Sequence, residues 1–201
     1  WKFPVEEVLP GKAAPEAEAA RRYLAGRGLE PAIARFGLGY APGPQVEAGG
    51  RRSGTAWPLV EHFRRLKAPF EGGVALGLLR TSQQGHLYDA LRNRITFPIH
   101  DEGGRIVAFG GRILPGFEGE HEPKYLNTAE TPIYKKNEVL FNMARARGAV
   151  ARTGEVFVVE GYTDVIGLAQ AGIDNAGATC GTALGEGHFR LFSRFAQRAG
   201  L

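Results

Sequence analysis

In the stretch Glu155-Val-Phe-Val-Val-Glu160-Gly161-Tyr162-Thr163-Asp164, one carboxylate closes a short apolar run and a second opens an amphipathic one. Carboxylates are hard oxygen donors, and magnesium takes one or two of them alongside water and phosphate oxygens. Read as a buried strand, residues 156–159 deliver Glu160 to the strand's C-terminal edge, where ligands bind in open parallel sheets. Gly161 permits a tight turn into a helix, and Asp164 falls near that helix's start, where its charge suits the dipole. The same residues also fit an exposed loop acid and an ordinary first-turn helix acid, and the local pattern leaves that alternative open.

The elements that must position these acids follow from periodicity and punctuation. From Gly154 the chain reads as strand, helix (163–171), strand (175–179) and helix (187–198), the alternation of a parallel α/β winding. Upstream the style differs. Residues 15–25 predict a helix with Pro15 early, acids in its first turn and Gly26 as its stop. Residues 31–36 predict a second helix closed by Gly37, and 58–66 a third with Leu59, Phe63 and Leu66 on one face. Residues 94–99 and 105–113 alternate as strands, and Asp101-Glu-Gly-Gly supplies the turn of an antiparallel hairpin. Residues 115–122 read as loop, and 138–147 as a helix ending at Gly148; the 48–54 stretch has mobile-loop composition. The expected fold class is an α+β N-terminal subdomain, residues 1–152, followed by a partial α/β subdomain with a parallel sheet, residues 153–201.

Bulk properties narrow the function classes. Across 201 residues, 43% hydrophobic and 23% charged content is that of a globular chain, too apolar for disorder. The net charge of +4 is a mild basic excess, which by itself says little about a polyanionic partner. A single cysteine, Cys180, excludes an internal disulfide and a thiolate-rich zinc site; it is expected in the core, and a reducing, cytoplasmic setting is the default. No apolar run reaches the length of a membrane span. His62, His86, His100, His121 and His188 show no metal-ligand spacing and are read as surface or structural. No P-loop, HExxH, GxSxG or dinucleotide fingerprint occurs, so ATPase, zincin, serine-hydrolase and Rossmann readings lack support.

A second block lies upstream of the acids: Arg92-Asn93-Arg94-Ile-Thr-Phe-Pro98, then Gly110-Gly111-Arg112, then Pro123-Lys124-Tyr125-Leu126-Asn127-Thr128 and Lys136. Together with Val-Val-Glu160-Gly-Tyr-Thr-Asp164-Val and Gly181-Thr182-Ala183, in this order and spacing, it resembles the RNA-polymerase core of bacterial DnaG-type DNA primases. The likeness runs from about Arg22 to the end of the chain. It implies a nucleotidyltransferase, a DNA-directed RNA polymerase that makes short RNA primers from ribonucleoside triphosphates on single-stranded DNA during replication. Such an enzyme uses Mg2+ or Mn2+, works at the replication fork in the cytoplasmic nucleoid, and meets a replicative helicase through other regions. The α/β half then resembles the N-terminal part of a toprim domain, with Glu160 and Asp164 catalytic and Glu160 the metal ligand. Arg94, Arg112, Lys124 and Lys136 match basic positions of the nucleotide and template site, and Tyr125 and Asn127 match the segment lining the template groove.

The residue types suit those roles. Guanidinium forks take phosphate bidentately, lysine acts as a mobile point charge, an aromatic ring stacks on a base and an amide bonds to one. Antiparallel pairing of the hairpin is expected to bring Arg94 and Arg112 together, and Thr182 is a secondary contact of the acidic site. Each basic residue alone also fits a solvated surface charge, Tyr125 a packed loop aromatic, and Asn127 an Asx-turn. The resemblance further implies a fragment. The family's zinc-binding module and its Asp-x-Asp pair have no counterpart here, so zinc is not expected in this segment and the chain alone is expected to be inactive. Two alternatives stand beside primer synthesis: another toprim enzyme, such as a topoisomerase or nuclease, and a toprim-family nucleic-acid-binding remnant.

Overall fold

The computed structural model describes residues 15–44, 57–119, 122–194 and 196–200. The expected loop at 48–54 and His121 lie outside these residues. Two helices open the described chain, α1 (Pro15–Gly26) and α2 (Ala32–Phe36), the second closed by Gly37 as expected, and β1 (Gly39–Ala41) follows. A small unit comes next: α3 (Pro58–Leu66), α4 (Phe70–Ala75) and the antiparallel pair β2 (Leu79–Thr81) and β3 (Leu87–Asp89). The predicted hairpin is β4 (Arg94–His100) with β5 (Ile106–Ile113), and β6 (Tyr125–Asn127) extends it, giving an antiparallel sheet in the order β1-β4-β5-β6.

The remaining elements are β7 (Leu140–Phe141), α5 (Met143–Thr153), β8 (Glu155–Val159), α6 (Tyr162–Gln170), β9 (Ala176–Thr179), α7 (Glu186–Phe192) and β10 (Arg198–Gly200). They form a second sheet in the order β10-β8-β9-β7, parallel except for β7. An α+β half is thus followed by an α/β parallel sheet, the expected class. The antiparallel edge strand β7 precedes residue 152, so both sides of the expected division contribute to this sheet.

Three expectations are corrected. The helix predicted over 138–147 is replaced at its start by β7: Leu140 and Phe141 are fully buried and pair with Thr179 and Ala178. Asn142 then turns the chain in a left-handed conformation, its amide donating to the Ala176 carbonyl (2.9 Å), and α5 passes through Gly148 to Thr153. The helix predicted over 187–198 ends at Phe192, because the amides of Gln197 and Arg198 donate to the Gly154 carbonyl (2.6 and 2.9 Å) and start β10 alongside β8. A third parallel strand therefore begins within the chain. On α3, Val60 and Phe63 form the buried face, whereas Leu66 is 58% exposed.

One core joins the two halves. Ile95, Phe97 and Ile99 on the inner face of β4 pack with Leu24 and Phe36 from the first helices and with Tyr162, Val165 and Ile166 of α6. A second core fills the space between α5, β8 and α7, and a third lies within the α3–α4 unit. That unit is tied together by a buried carboxylate. Asp89, at the end of β3, accepts from the first amides of α3, Leu59 (2.8 Å) and Val60 (3.1 Å), so it serves as a cap supplied from another element.

Burial nonetheless dominates Asp89 and pushes its pKa up from 3.8 to about 6, against those two amide hydrogen bonds. The folded chain therefore holds this proton at pH values where the unfolded chain releases it. The Asp89 contribution to stability is fully present below pH 3.8 and declines as pH rises through about 6, by about 3 kcal/mol in all. Urea denaturation across this range should show the stability of the wild type relative to Asp89→Asn falling as pH rises. A relative stability that instead rises with pH would mean that the α3 amides stabilise the carboxylate more than burial penalises it.

Candidate active site and nucleic-acid interface

Val156 and Val158 of β8 are buried in the second core, and the next residues carry the chain out of the sheet, leaving Glu160 exposed at its C-terminal edge. Gly161 caps α6 in an ordinary extended conformation (φ −119°), so a glycine is not needed here for its dihedral freedom. A Cβ at this position would lie 2.8 Å from Asp164 Oδ2, the end of an exposed side chain. The Asp164 carboxylate thus lies beside Gly161, in the first turn of α6, where its charge suits the helix dipole. Among the described residues neither acid has an ion-pair partner, and no group of three His, Cys, Asp or Glu side chains could hold a metal ion.

The neighbouring parallel strand ends at the same edge. Val159 is level with Ala178, so the turn Cys180-Gly181-Thr182 emerges beside Glu160. Cys180 is fully buried, as expected; burial pushes its thiol pKa up, and the Tyr134 and Tyr162 hydroxyls beside it oppose that shift. The Thr182 hydroxyl is buried without a protein partner among the described residues.

Tyr162 links this edge to the antiparallel sheet. Its ring stacks on Phe97 (5.1 Å between centroids, 18°), meets the edge of Phe141 (4.8 Å) and lies so close over Gly110 that a Cβ there would be 2.4 Å from it. The Tyr162 hydroxyl donates to Asn127 Oδ1 (2.9 Å), and Asn127 Nδ2 donates to the Cys180 carbonyl (2.8 Å). Both ends of the Asn127 amide are therefore turned inward, not toward a template. Its neighbour Tyr125 is 40% exposed, with its ring 6.5 Å from that of Tyr162, and Lys124 is exposed beside it.

The four matched cations do not share one environment. Register pairs Arg94 with Ile113 and Ile95 with Arg112, so Arg94 and Arg112 project from opposite faces of the sheet, contrary to the expected convergence. Arg94 is fully buried: it donates to the carbonyls of Pro123 (2.9 Å) and Gly111 (3.2 Å) and to Glu122 Oε2 (3.0 Å). Glu122 also accepts from Arg92. Burial pulls the Arg94 pKa down, and Glu122 holds it up. Arg112 is 8% exposed, stacked 4.4 Å from the centre of the Tyr23 ring and bonded to the Ile113 carbonyl. Lys136 is half-buried on a loop whose carbonyl accepts from His188 Nε2 (2.8 Å). Gly185 donates to His188 Nδ1 (3.2 Å), which assigns the ring proton to Nε2.

His188, Tyr162 and Glu122 were not singled out by residue type. The signal for Tyr162 was the glycine pair Gly110-Gly111, a place in a strand where something approaches closely. A separate cleft of about 420 Å³, lined in part by Glu102, Glu138, Glu186, Arg190 and Arg194, includes neither Glu160 nor Asp164.

A parallel sheet with a glutamate at its carboxyl edge, a second acid in the next helix and an adjoining antiparallel sheet with an exposed Lys-Tyr segment defines a toprim-bearing protein; the Toprim domain family matches residues 154–199. The family described as DNA primase catalytic core, N-terminal domain, matches residues 12–147, and the chain belongs to the DnaG-type DNA primases, spanning part of their catalytic core and the start of the toprim domain. It is 45% identical over 188 residues to a DNA primase of Pseudomonas aeruginosa (90% of this chain, 26% of that one). It is 38% identical over 182 residues to a DNA primase of Escherichia coli K12 (90% and 29%). The chain thus spans roughly a quarter of its relatives' length. Among solved structures it is similar to the RNA polymerase domain of Mycobacterium tuberculosis primase DnaG (TM-score 0.80, 34% identity, 96% of this chain and 57% of that one). It is also similar to a DnaG primase catalytic domain bound to single-stranded DNA (TM-score 0.75, 36% identity, 92% and 54%).

Removing the buried Arg94 charge leaves Glu122 half-paired and the Pro123 and Gly111 carbonyls without this donor. Arg94→Met should cost about 3 kcal/mol in urea denaturation, whereas Lys124→Ala should stay within about 0.5 kcal/mol of the wild type. An unchanged midpoint for Arg94→Met would show that this guanidinium does not hold the 122–124 loop.

Proposed function

We propose that this chain is part of the catalytic core of a primase that joins ribonucleotides into short RNA primers on a single-stranded DNA template. The observation that carries the reading is the contact between the Tyr125 and Tyr162 rings, which sets the exposed Lys124-Tyr125 segment against the turn bearing Glu160 and Asp164. Tyr125 offers a stacking face to a template base, and Lys124 a cation to its backbone. The neighbours bound to single-stranded DNA and in complex with double-stranded DNA support a DNA partner.

The unpaired, exposed carboxylates of Glu160 and Asp164, four residues apart across the turn into α6, fit a divalent cation such as Mg2+ or Mn2+, which prefers one or two such oxygens. Such an ion supplies charge neutralisation for a triphosphate and activation of the attacking hydroxyl. In this division of labour Glu160 is the metal ligand, Asp164 completes or orients it, and Lys136 adds positive charge for the nucleotide. Arg94 and Arg112, the one bonded to a loop and the other stacked on Tyr23, act by shaping the groove walls. Residues 1–152 then form the template-facing subdomain and residues 153–201 the start of the toprim domain. Two acids cannot by themselves complete a two-metal site, so synthesis by this chain alone should be undetectable.

In a complete primase carrying this segment, Glu160→Gln should abolish primer synthesis while leaving single-stranded DNA affinity within about twofold, because Gln keeps the shape and loses the charge. Glu138→Gln serves as the exposed control. Equal synthesis by both variants would remove Glu160 from the mechanism. Template binding, read by fluorescence anisotropy, should weaken with salt and with Lys124→Ala. Affinity independent of salt would rule out an electrostatic groove.

A further inference from the structure

We propose that Asn127 is a positioning residue for the acidic site and not a template contact. The proposal rests on the reading of Glu160 and Asp164 given above and deepens it. Bidentate reading of a base by an amide uses both Oδ1 and Nδ2. Here both are engaged inward, Oδ1 by the Tyr162 hydroxyl at 2.9 Å and Nδ2 by the Cys180 carbonyl at 2.8 Å. The amide also sits close to Gly181, where a Cβ would come 2.8 Å from Nδ2.

These two bonds join three elements at one point. Asn127 ends β6, Tyr162 is the first residue of α6, and Cys180 follows β9. Tyr162 sits two residues after Glu160 and two before Asp164, so the place where its ring and hydroxyl are fixed sets where both carboxylates stand. Cys180 sits two residues before Thr182, whose buried hydroxyl lacks a protein partner among the described residues. The ring of Tyr162 is clamped by Phe97, Phe141 and Gly110, and its hydroxyl adds the directional bond that stops it sliding in that apolar slot. Asn127 thus carries the register of the antiparallel sheet across to the acidic edge of the parallel one. Aspartate at this position would keep an acceptor for Tyr162 and lose the donor for Cys180.

The test uses a complete primase carrying this segment, with Tyr162→Phe, Asn127→Leu and the double variant. Tyr162→Phe keeps every ring contact and carries the test if Asn127→Leu fails to fold. Positioning predicts that kcat falls about tenfold or more in each and that the Mg2+ concentration for half-maximal synthesis rises. The affinity for single-stranded DNA should stay within about twofold, and the double variant should be no worse than the poorer single. A template contact predicts the reverse: DNA binding weakened by Asn127→Leu, with Tyr162→Phe indistinguishable from wild type. That result, or additive losses, or an unchanged Mg2+ requirement, would overturn the proposal. Glu160→Gln measured alongside keeps the two readings apart, since full activity in that variant would sink the metal-site reading whatever Asn127 does.

Discussion

The arrangement of this chain depends on one close contact, the Tyr162 ring over the bare backbone of Gly110. No side chain fits between them, since even a Cβ would lie 2.4 Å from the ring. Stacked and edge-to-face aromatic pairs contribute about 0.5–1.5 kcal/mol each beyond area burial, and Tyr162 stacks on Phe97 and meets Phe141 edge-on. The larger consequence is geometric. The ring comes from the first turn of α6, while Gly110 and Phe97 lie on the central strands of the antiparallel sheet, so two sheets of different character share one core. The acids on either side of Tyr162 inherit their position from that packing.

Charge is divided between scaffold and surface in a way that residue type alone does not reveal. The guanidinium of Arg94 and the carboxylate of Asp89 are both buried and both satisfy backbone groups, the first on the loop leading to Lys124 and the second at the start of α3. Glu160, Asp164 and Lys124 are exposed and form no ion pair among the described residues. A buried pair is costly to break and adds little when kept, so its value here is in fixing one loop conformation beside the exposed Lys124-Tyr125 segment.

Much of this was legible in the residue pattern, for identifiable reasons. The hairpin showed because alternation flanks a glycine turn, and the acidic edge showed because a β-branched run ends on Glu-Gly. The short helix α2 carried its own stop signal in Gly37, whereas α1 runs through the expected stop Gly26 and is closed by the left-handed Gly28. What was missed depends on partners distant in sequence. A two-residue strand such as β7 has no period to read, and its existence follows from pairing with β9. The faces of Arg94 and Arg112 are a matter of parity: a register in which 94 meets 113 separates them, and neighbouring registers would not. The end of α7 is set by the Gly154 carbonyl, in the link between α5 and β8. Asn127 was recognised as important from its motif, but its partners became visible only once three elements met.

The central claim is that Glu160 anchors a divalent cation at the carboxyl edge of the parallel sheet. It is tested most directly by titrating Mn2+ into the isotope-labelled chain and following paramagnetic broadening of backbone amide signals. Broadening should centre on residues 160–164 and on Gly181 and Thr182, be removed by excess Mg2+ and be lost in Glu160→Gln. Broadening that survives Glu160→Gln, or that centres on the cleft of Glu102 and Glu186, would contradict it.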